Sequence, residues 1–305
     1  MKAIYSKTIE KPSGFLFARW SAGAKAYEYS LPPEQRVIED PYAPYYAGAI
    51  GRQMVAAMAR INPSIRKGIV LRARYFDDYA RQCLAEGFEQ VVLLGAGYDS
   101  RYLRVPEFRA IQVYELDLAS TQAIKKALTR RMLGKLPQNV KYVSIDFSQD
   151  SISQKLIGAG YDRLKRTLFI WEGVTLFLNK DIVCETLGRL AEFRPGNRVI
   201  FDFIPPELID DATDYKGNRQ LLKLCASINE PLTFGCDPKT MRDLLPGLGF
   251  SSVNVVDMRE INRRCGGTEK IEDSYYFATA EVGANAKLFQ PPIKGDGSCL
   301  VSLQD

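Results

Sequence analysis

The sequence predicts an α/β fold built on a doubly wound, mostly parallel seven-stranded sheet. Three observations carry this. From about residue 89, short apolar runs alternate with amphipathic stretches. The runs are rich in β-branched and aromatic residues and apolar on both faces, as strands covered by helices on each side must be. The last two runs are joined by an irregular Arg/Asn/Gly segment in which no helix fits, so they are expected to pair antiparallel at the sheet's edge.

In chain order, residues 1–88 hold no strand pattern and are expected to form a helical lid ahead of the sheet. The five runs that follow are Val91–Leu94, Ile111–Tyr114, Tyr142–Ile145, Leu168–Trp171 and Val199–Phe201. Between the fourth and fifth, residues 179–193 put Val183, Leu187 and Leu190 on one helical face. Asn179 is the natural N-cap there and Gly196 lies just past the end. Residues 205–235 are too long for a simple connection and are expected to form a helical insertion after the fifth strand. Asp237-Pro238 opens a further helix with proline at its first position. Val253–Val256 and Tyr275–Ala280 supply the last two strands, the antiparallel edge; residues 89–284 thus form the sheet domain and 285–305 a tail.

Composition narrows the chemistry. The 305 residues include 41 Lys and Arg against 36 Asp and Glu, a net +5 spread along the chain in nothing denser than doublets such as Lys125-Lys126. That is a solvated surface, and no nucleic-acid partner is expected. There is no histidine, which excludes Ser-His-Asp and Cys-His nucleophile systems and histidine-ligated metal sites. The six cysteines include no Cys-x-x-Cys pair and read as thiols in a reducing compartment; no metal is expected. No stretch approaches the ~18 apolar residues of a membrane span, and the N-terminus lacks an apolar signal core, so a cytoplasmic protein without membrane contact is expected.

The first apolar run ends in Leu94-Gly95-Ala96-Gly97-Tyr98-Asp99-Ser100. Glycines after a strand let the backbone turn tightly and approach a ligand. The second run ends Tyr114-Glu115-Leu116-Asp117, and an acid there can accept hydrogen bonds from both hydroxyls of an adenosine ribose. A dinucleotide would want a third glycine and a helix N-terminus for its pyrophosphate. Ser100 stands at that position and Asp99 adds a negative charge, which disfavours NAD. S-adenosylmethionine has no phosphate and carries ammonium and sulfonium cations, so the methyl donor fits better. Asp146-Phe147 ends the third strand and suits adenine, Asp146 accepting from the exocyclic amine, or else forms a helix cap before Ser151. Glu172 ends the fourth strand, either to meet the cofactor's ammonium or as an ordinary strand-end carboxylate.

Ile65, Ile69, Arg72, Phe76, Tyr79 and Cys83 recur at four-three spacing, so Arg72 interrupts an apolar helix face. A buried guanidinium needs an anion. The partner is a protein acid such as Asp77 or Glu115, or a ligand carboxylate.

Together these stretches resemble the leucine carboxyl methyltransferase family. Asp40-Pro41-Tyr42-Ala43, Leu71–Asp78, Val91–Arg101, Tyr114–Asp117, Ile145–Phe147 and Trp171–Val174 follow in the family's order. The resemblance implies a Rossmann-like class I methyltransferase using S-adenosyl-L-methionine. It assigns Arg72 to the cofactor carboxylate, Gly95 and Gly97 to the cofactor turn and Asp117 to the ribose, with Glu115 counted among the cofactor-binding residues. Asp146 and Phe147 fall at the adenine and Glu172 at the amino group.

Methyl transfer from a sulfonium mainly needs the nucleophile held in line. A carboxylate is already ionised at neutral pH, whereas a phenol usually wants a base, often histidine. The lack of histidine therefore leans toward a small-molecule carboxylate as acceptor. Arg19, Tyr27, Tyr215 and Arg219, in the lid and the insertion, are candidate acceptor contacts. No catalytic side chain is assigned. The alternatives are a nicotinamide oxidoreductase, a protein-carboxyl or RNA-modifying methyltransferase, and a non-catalytic partner subunit of the same fold.

Overall fold

The computed structural model describes residues 15–213, 215, 217–267, 271 and 275–284. The expected tail at 285–305 lies outside them. Seven strands form one sheet: β1 (Gln90–Leu94), β2 (Gln112–Asp117), β3 (Val140–Ser144), β4 (Thr167–Trp171), β5 (Arg198–Phe203), β6 (Phe250–Asp257) and β7 (Tyr276–Val282). Their order is β3-β2-β1-β4-β5-β7-β6. The first five pair in parallel, and β7 is antiparallel to both β5 and β6. The antiparallel strand thus lies one in from the edge, and β6 is outermost.

The helices are α1 (Phe15–Tyr29), α2 (Ala43–Ile61), α3 (Pro63–Ala85), α4 (Arg101–Arg104), α5 (Ala119–Leu133), α6 (Ile152–Gly158), α7 (Lys180–Ala191), α8 (Pro206–Ile209), α9 (Asn218–Ser227), α10 (Pro238–Gly247) and α11 (Met258–Arg264). Among the described residues before β1 there is no strand. Strand alternation explains the two layers of core. Val92, Leu94, Phe169 and Trp171 point toward α6, α7 and α10, while Val91, Leu93, Leu168 and Ile170 point toward α3 and α11. Both faces are covered, which is why these strands read as continuous apolar runs.

The helix boundaries follow from capping. The Asn179 side chain accepts from Ile182 N at 2.9 Å, and Val183, Leu187 and Leu190 are buried as the periodicity requires. The Asp237 carboxylate accepts from Lys239 N and Thr240 N, with Pro238 next in chain. One expectation fails: the segment after β6 holds α11. Asp257 caps it by accepting from Glu260 N at 2.7 Å, and Met258 and Ile261 are its only buried apolar residues. With two apolar positions the helix carries almost no periodic signal; its cap and the Glu260–Arg264 pair at 2.7 Å support it locally.

Candidate functional site

The carboxyl ends of β1, β2 and β4 open into a cavity of about 530 Å³, roofed by α1, the start of α3 and residues from the segment between β5 and α10. Its volume falls in the usual range of small-molecule sites, ~300–1,000 Å³.

The turn after β1 is built for close approach. Gly95 has φ +64°, and a Cβ there would come within 2.5 Å of a Val174 methyl. Gly97 has φ +43°, and its backbone N–H donates to Asp117 Oδ2 at 2.5 Å. The other Asp117 oxygen accepts from Leu118 N at 2.7 Å. Burial raises the Asp117 carboxyl, against the pull of these two N–H groups. The turn leads into α4, only four residues long. A pyrophosphate would therefore meet no extended helix N-terminus.

Asp99 stands differently from the expectation. Its charge is matched by Arg101, whose backbone N–H donates to Asp99 Oδ1 at 2.7 Å and whose guanidinium also pairs with it. A dinucleotide is thus disfavoured by the short helix and by Ser100, which is buried and donates its hydroxyl to Asp40 Oδ2 at 2.5 Å.

Arg72 comes from α3 into the cavity wall. Its Nε donates to Glu172 Oε1 at 3.0 Å, its Nη1 to Asp202 Oδ2 at 3.4 Å and Tyr275 Oη at 3.1 Å, and its Nη2 to Ser21 Oγ at 3.3 Å. Its protein acids are therefore Glu172 and Asp202, neither Asp77 nor Glu115. Four of five guanidinium N–H groups are engaged among the described residues, leaving one on Nη2 for a ligand. Asp77 and Glu115 are taken elsewhere: Asp77 pairs with Arg101 and Arg104, and Glu115 with Lys125. Glu172 sits between two guanidinium groups, accepting from Arg72 and Arg101, which hold its carboxyl down at about 2 despite burial. Asp202, at the end of β5, also accepts from Gly173 N at 2.6 Å; burial pushes it up to about 6, with Arg72 opposing.

The structure gathers most predicted cofactor residues on one wall: Arg72, Gly95, Gly97, Asp117, Asp146, Phe147 and Glu172. Glu115 is not among them. Two residues before Asp117, it points to the same face but ~6.6 Å deeper along the strand. There it is fully buried against Lys125, and burial pushes it up to about 7. The Asp146 carboxylate presently accepts from Ser148 N at 2.9 Å and Ser148 Oγ at 2.6 Å, so it lines the cavity and holds its own turn together. The Phe147 ring lies 6.2 Å from that of Trp171.

Three of the four acceptor candidates lie outside the cavity wall. Arg19 Nη1 bonds the carbonyls of Tyr46 and Ala47 at 3.3 and 3.2 Å, bridging α1 to α2. Tyr27 stacks under Arg66, 3.7 Å from its guanidinium carbon. Arg219 is exposed and pairs with Asp211 at 2.7 Å. Only Tyr215 lines the cavity. Sequence reasoning missed Lys25, Arg101, Asp202, Glu230 and Tyr275. Asp202 had a signal, an acid inside an apolar strand; Tyr275, whose hydroxyl reaches Arg72 from beyond α11, had none.

A family model described as leucine carboxyl methyltransferase matches residues 18–191. A Frankia alni protein, provisionally named an S-adenosyl-L-methionine-dependent methyltransferase, is 30% identical over 59% of this chain and 65% of its own. A Bacillus subtilis protein of similar name is 27% identical over 63% of each chain. The matched stretch thus spans under two thirds of either relative. A second Frankia alni protein of that name is 30% identical over 70% of this chain and 81% of its own. Among solved structures, a Thermobifida fusca protein described as a methyltransferase by inference superposes with a TM-score of 0.59 at 12% identity, covering 91% of this chain and 97% of its own. A DUF574 family protein from Streptomyces avermitilis gives 0.57 at 13%, covering 86% and 96%. At these identities the likeness is one of fold.

Proposed function

The chain belongs to the leucine carboxyl methyltransferase family, and from that premise we propose that it is an S-adenosyl-L-methionine-dependent O-methyltransferase acting on a carboxylate of a small molecule. The observation that carries the reading is the joining of Gly95, Gly97, Asp117 and Glu172 on one wall of a single cavity. The residues fit the cofactor. The glycine turn leaves room a Cβ would fill, Asp117 sits at the strand edge for ribose hydroxyls, and Phe147 offers a ring face to adenine. Glu172 stays ionised to face an ammonium group, and Arg72 keeps one N–H for a carboxylate.

When bound, the cofactor supplies an electrophilic methyl on a sulfonium. Asp117 would hold its ribose, and Glu172 and Arg72 its amino-acid end, so that the methyl would pass to an acceptor carboxylate oxygen and the C–S pair would stay on sulfur as a neutral thioether. The chain's task is to hold the two in line and exclude water. An acceptor already ionised needs no side-chain base, consistent with a sequence without histidine. The partner in this reading is a small acceptor, since α1 and the segment between β5 and α10 roof the cavity. The setting is cytoplasmic; the described cysteines are all free thiols.

Calorimetric titration with S-adenosylmethionine tests it. Micromolar binding is expected, lost at least tenfold in Asp117→Ala and Arg72→Ala, with folding checked by circular dichroism. No heat and no thermal shift with the unaltered chain would sink the reading.

A further inference from the structure

The cavity's wall beyond the strand tips has a chemistry of its own. It is supplied by α1, α3, the turn at Thr175–Phe177 after β4, α8, α9 and residues 229–232, and is made by Trp20, Ile69, Phe177, Leu208, Leu221 and Leu232 among others. Around the whole cavity the described lining includes five acids, Asp99, Asp117, Asp146, Glu172 and Glu230, against two bases, Lys25 and Arg72. Both bases face acids already: Lys25 lies 3.8 Å from Asp40, and Arg72 is held by Glu172 and Asp202. The one acid of the outer wall, Glu230, is turned to α1, accepting from Leu16 N and Phe17 N at 3.2 Å each. Lys25 and Arg72 are the two cations of the described lining, and the one spare N–H of Arg72 is taken by the cofactor carboxylate in this reading.

We infer that the acceptor is a compact, ring-bearing or branched hydrophobe with a single ionisable oxygen group, and that the site rejects any molecule carrying a second anionic group. The inference rests on the methyl-transfer reading and names its substrate class. Two physical terms act together. The apolar wall rewards burial of an apolar body. A second carboxylate on the outer wall would be desolvated beside lining acids that outnumber the bases even when Arg101, the partner of Asp99 and Glu172, is counted. Among the described residues that wall adds no cation to Lys25 and Arg72. The aromatic side chains Phe17, Trp20 and Phe177, whose rings lie 5.0 Å (Phe17–Trp20) and 4.6 Å (Phe17–Phe177) apart, offer edges and faces suited to a flat ring.

The test uses the full chain saturated with S-adenosylhomocysteine and a rigid matched pair, 2-naphthoate and naphthalene-2,6-dicarboxylate. Quenching of tryptophan fluorescence and calorimetry report binding. The monoacid is expected to bind at least tenfold tighter, about 1.4 kcal/mol. A preference for 2-naphthol over both supports the inference equally, because it too carries one ionisable group. In Leu221→Lys, a cation placed on the outer wall should narrow the gap between the two acids at least tenfold. Retained S-adenosylhomocysteine binding reports that this variant is folded, and Leu232→Lys serves as a second such variant. Dicarboxylate binding equal to or tighter than that of both single-group probes overturns the inference. So does S-adenosylhomocysteine binding with no binding of either single-group probe. Failure to bind S-adenosylhomocysteine at all instead removes the methyl-transfer reading, and this inference with it.

Discussion

At the scale of single residues, the site is a buried chain of charges. From Lys25 and Asp40 it runs through Arg104, Asp77, Arg101, Glu172 and Arg72 to Asp202, each within salt-bridge distance of the next. Asp40, Asp77, Arg101 and Asp202 are each 1% exposed or less, so an acid here must share a cation or take a proton. Asp202 is closest to taking one, since burial raises its carboxyl to about 6, above the ~3.9 of an unfolded chain. A raised carboxyl stabilises the fold fully below the unfolded value and loses that contribution as pH rises through the folded one. Urea unfolding should therefore show about 1.4 kcal/mol lost from this group between pH 5 and pH 8. Asp202→Asn should lack that part of the slope, and parallel slopes in the two proteins would refute the assignment.

Among elements, the telling contact is between α1 and the segment after β5. Glu230 lies 5% exposed and its carboxylate caps the first turn of α1, where orphan N–H groups and the helix dipole favour an anion. Leu221 and Leu224 of α9 pack against Trp20, Val55 and Met58 of α1 and α2, so the roof is one packed unit. Where α1 crosses α2, a Cβ on Gly23 would lie 2.4 Å from the Gly51 carbonyl oxygen, so both glycines are needed for the helices to meet. Glu230→Ala should cost about 1 kcal/mol and speed hydrogen exchange in the first turn of α1 and at residues 229–232. Unchanged exchange at both would show that the cap does not hold the roof.

Across the whole molecule, the cavity joins the carboxyl ends of β1, β2 and β4, the N-terminal helices and the segment after β5. A ligand held by all three stabilises the fold as a unit. At a free S-adenosylmethionine concentration a hundred times Kd, the unfolding free energy should rise by about 2.7 kcal/mol. Scanning calorimetry would read this as a higher Tm, and Asp117→Ala, binding at least tenfold more weakly, should cut the rise to about 1.4 kcal/mol or less at that concentration. Among the described residues, no helix is long and apolar enough to cross a membrane.

Much of this was legible in the chain itself. Seven strands, the paired last two, the caps at Asn179 and Asp237 and the glycine turn with Asp117 all follow from local rules. Periodicity, capping and φ preference act over a few residues and leave their marks there. The partners of Arg72, the shielding of Asp99, the withdrawal of Glu115 and the placement of Arg19, Tyr27 and Arg219 away from the cavity wall were decided by tertiary structure. Each depends on which charge or surface meets which across tens to hundreds of residues. The Arg72–Glu172 and Arg72–Tyr275 contacts join positions 100 and 203 residues apart, and no local pattern encodes a pairing at that range. Sequence alone set the strands and the turn that face a ligand. Packing chose which buried charges neutralise one another and which side chains remain to line the cavity, because an ion out of water must find its counter-ion wherever the fold brings one.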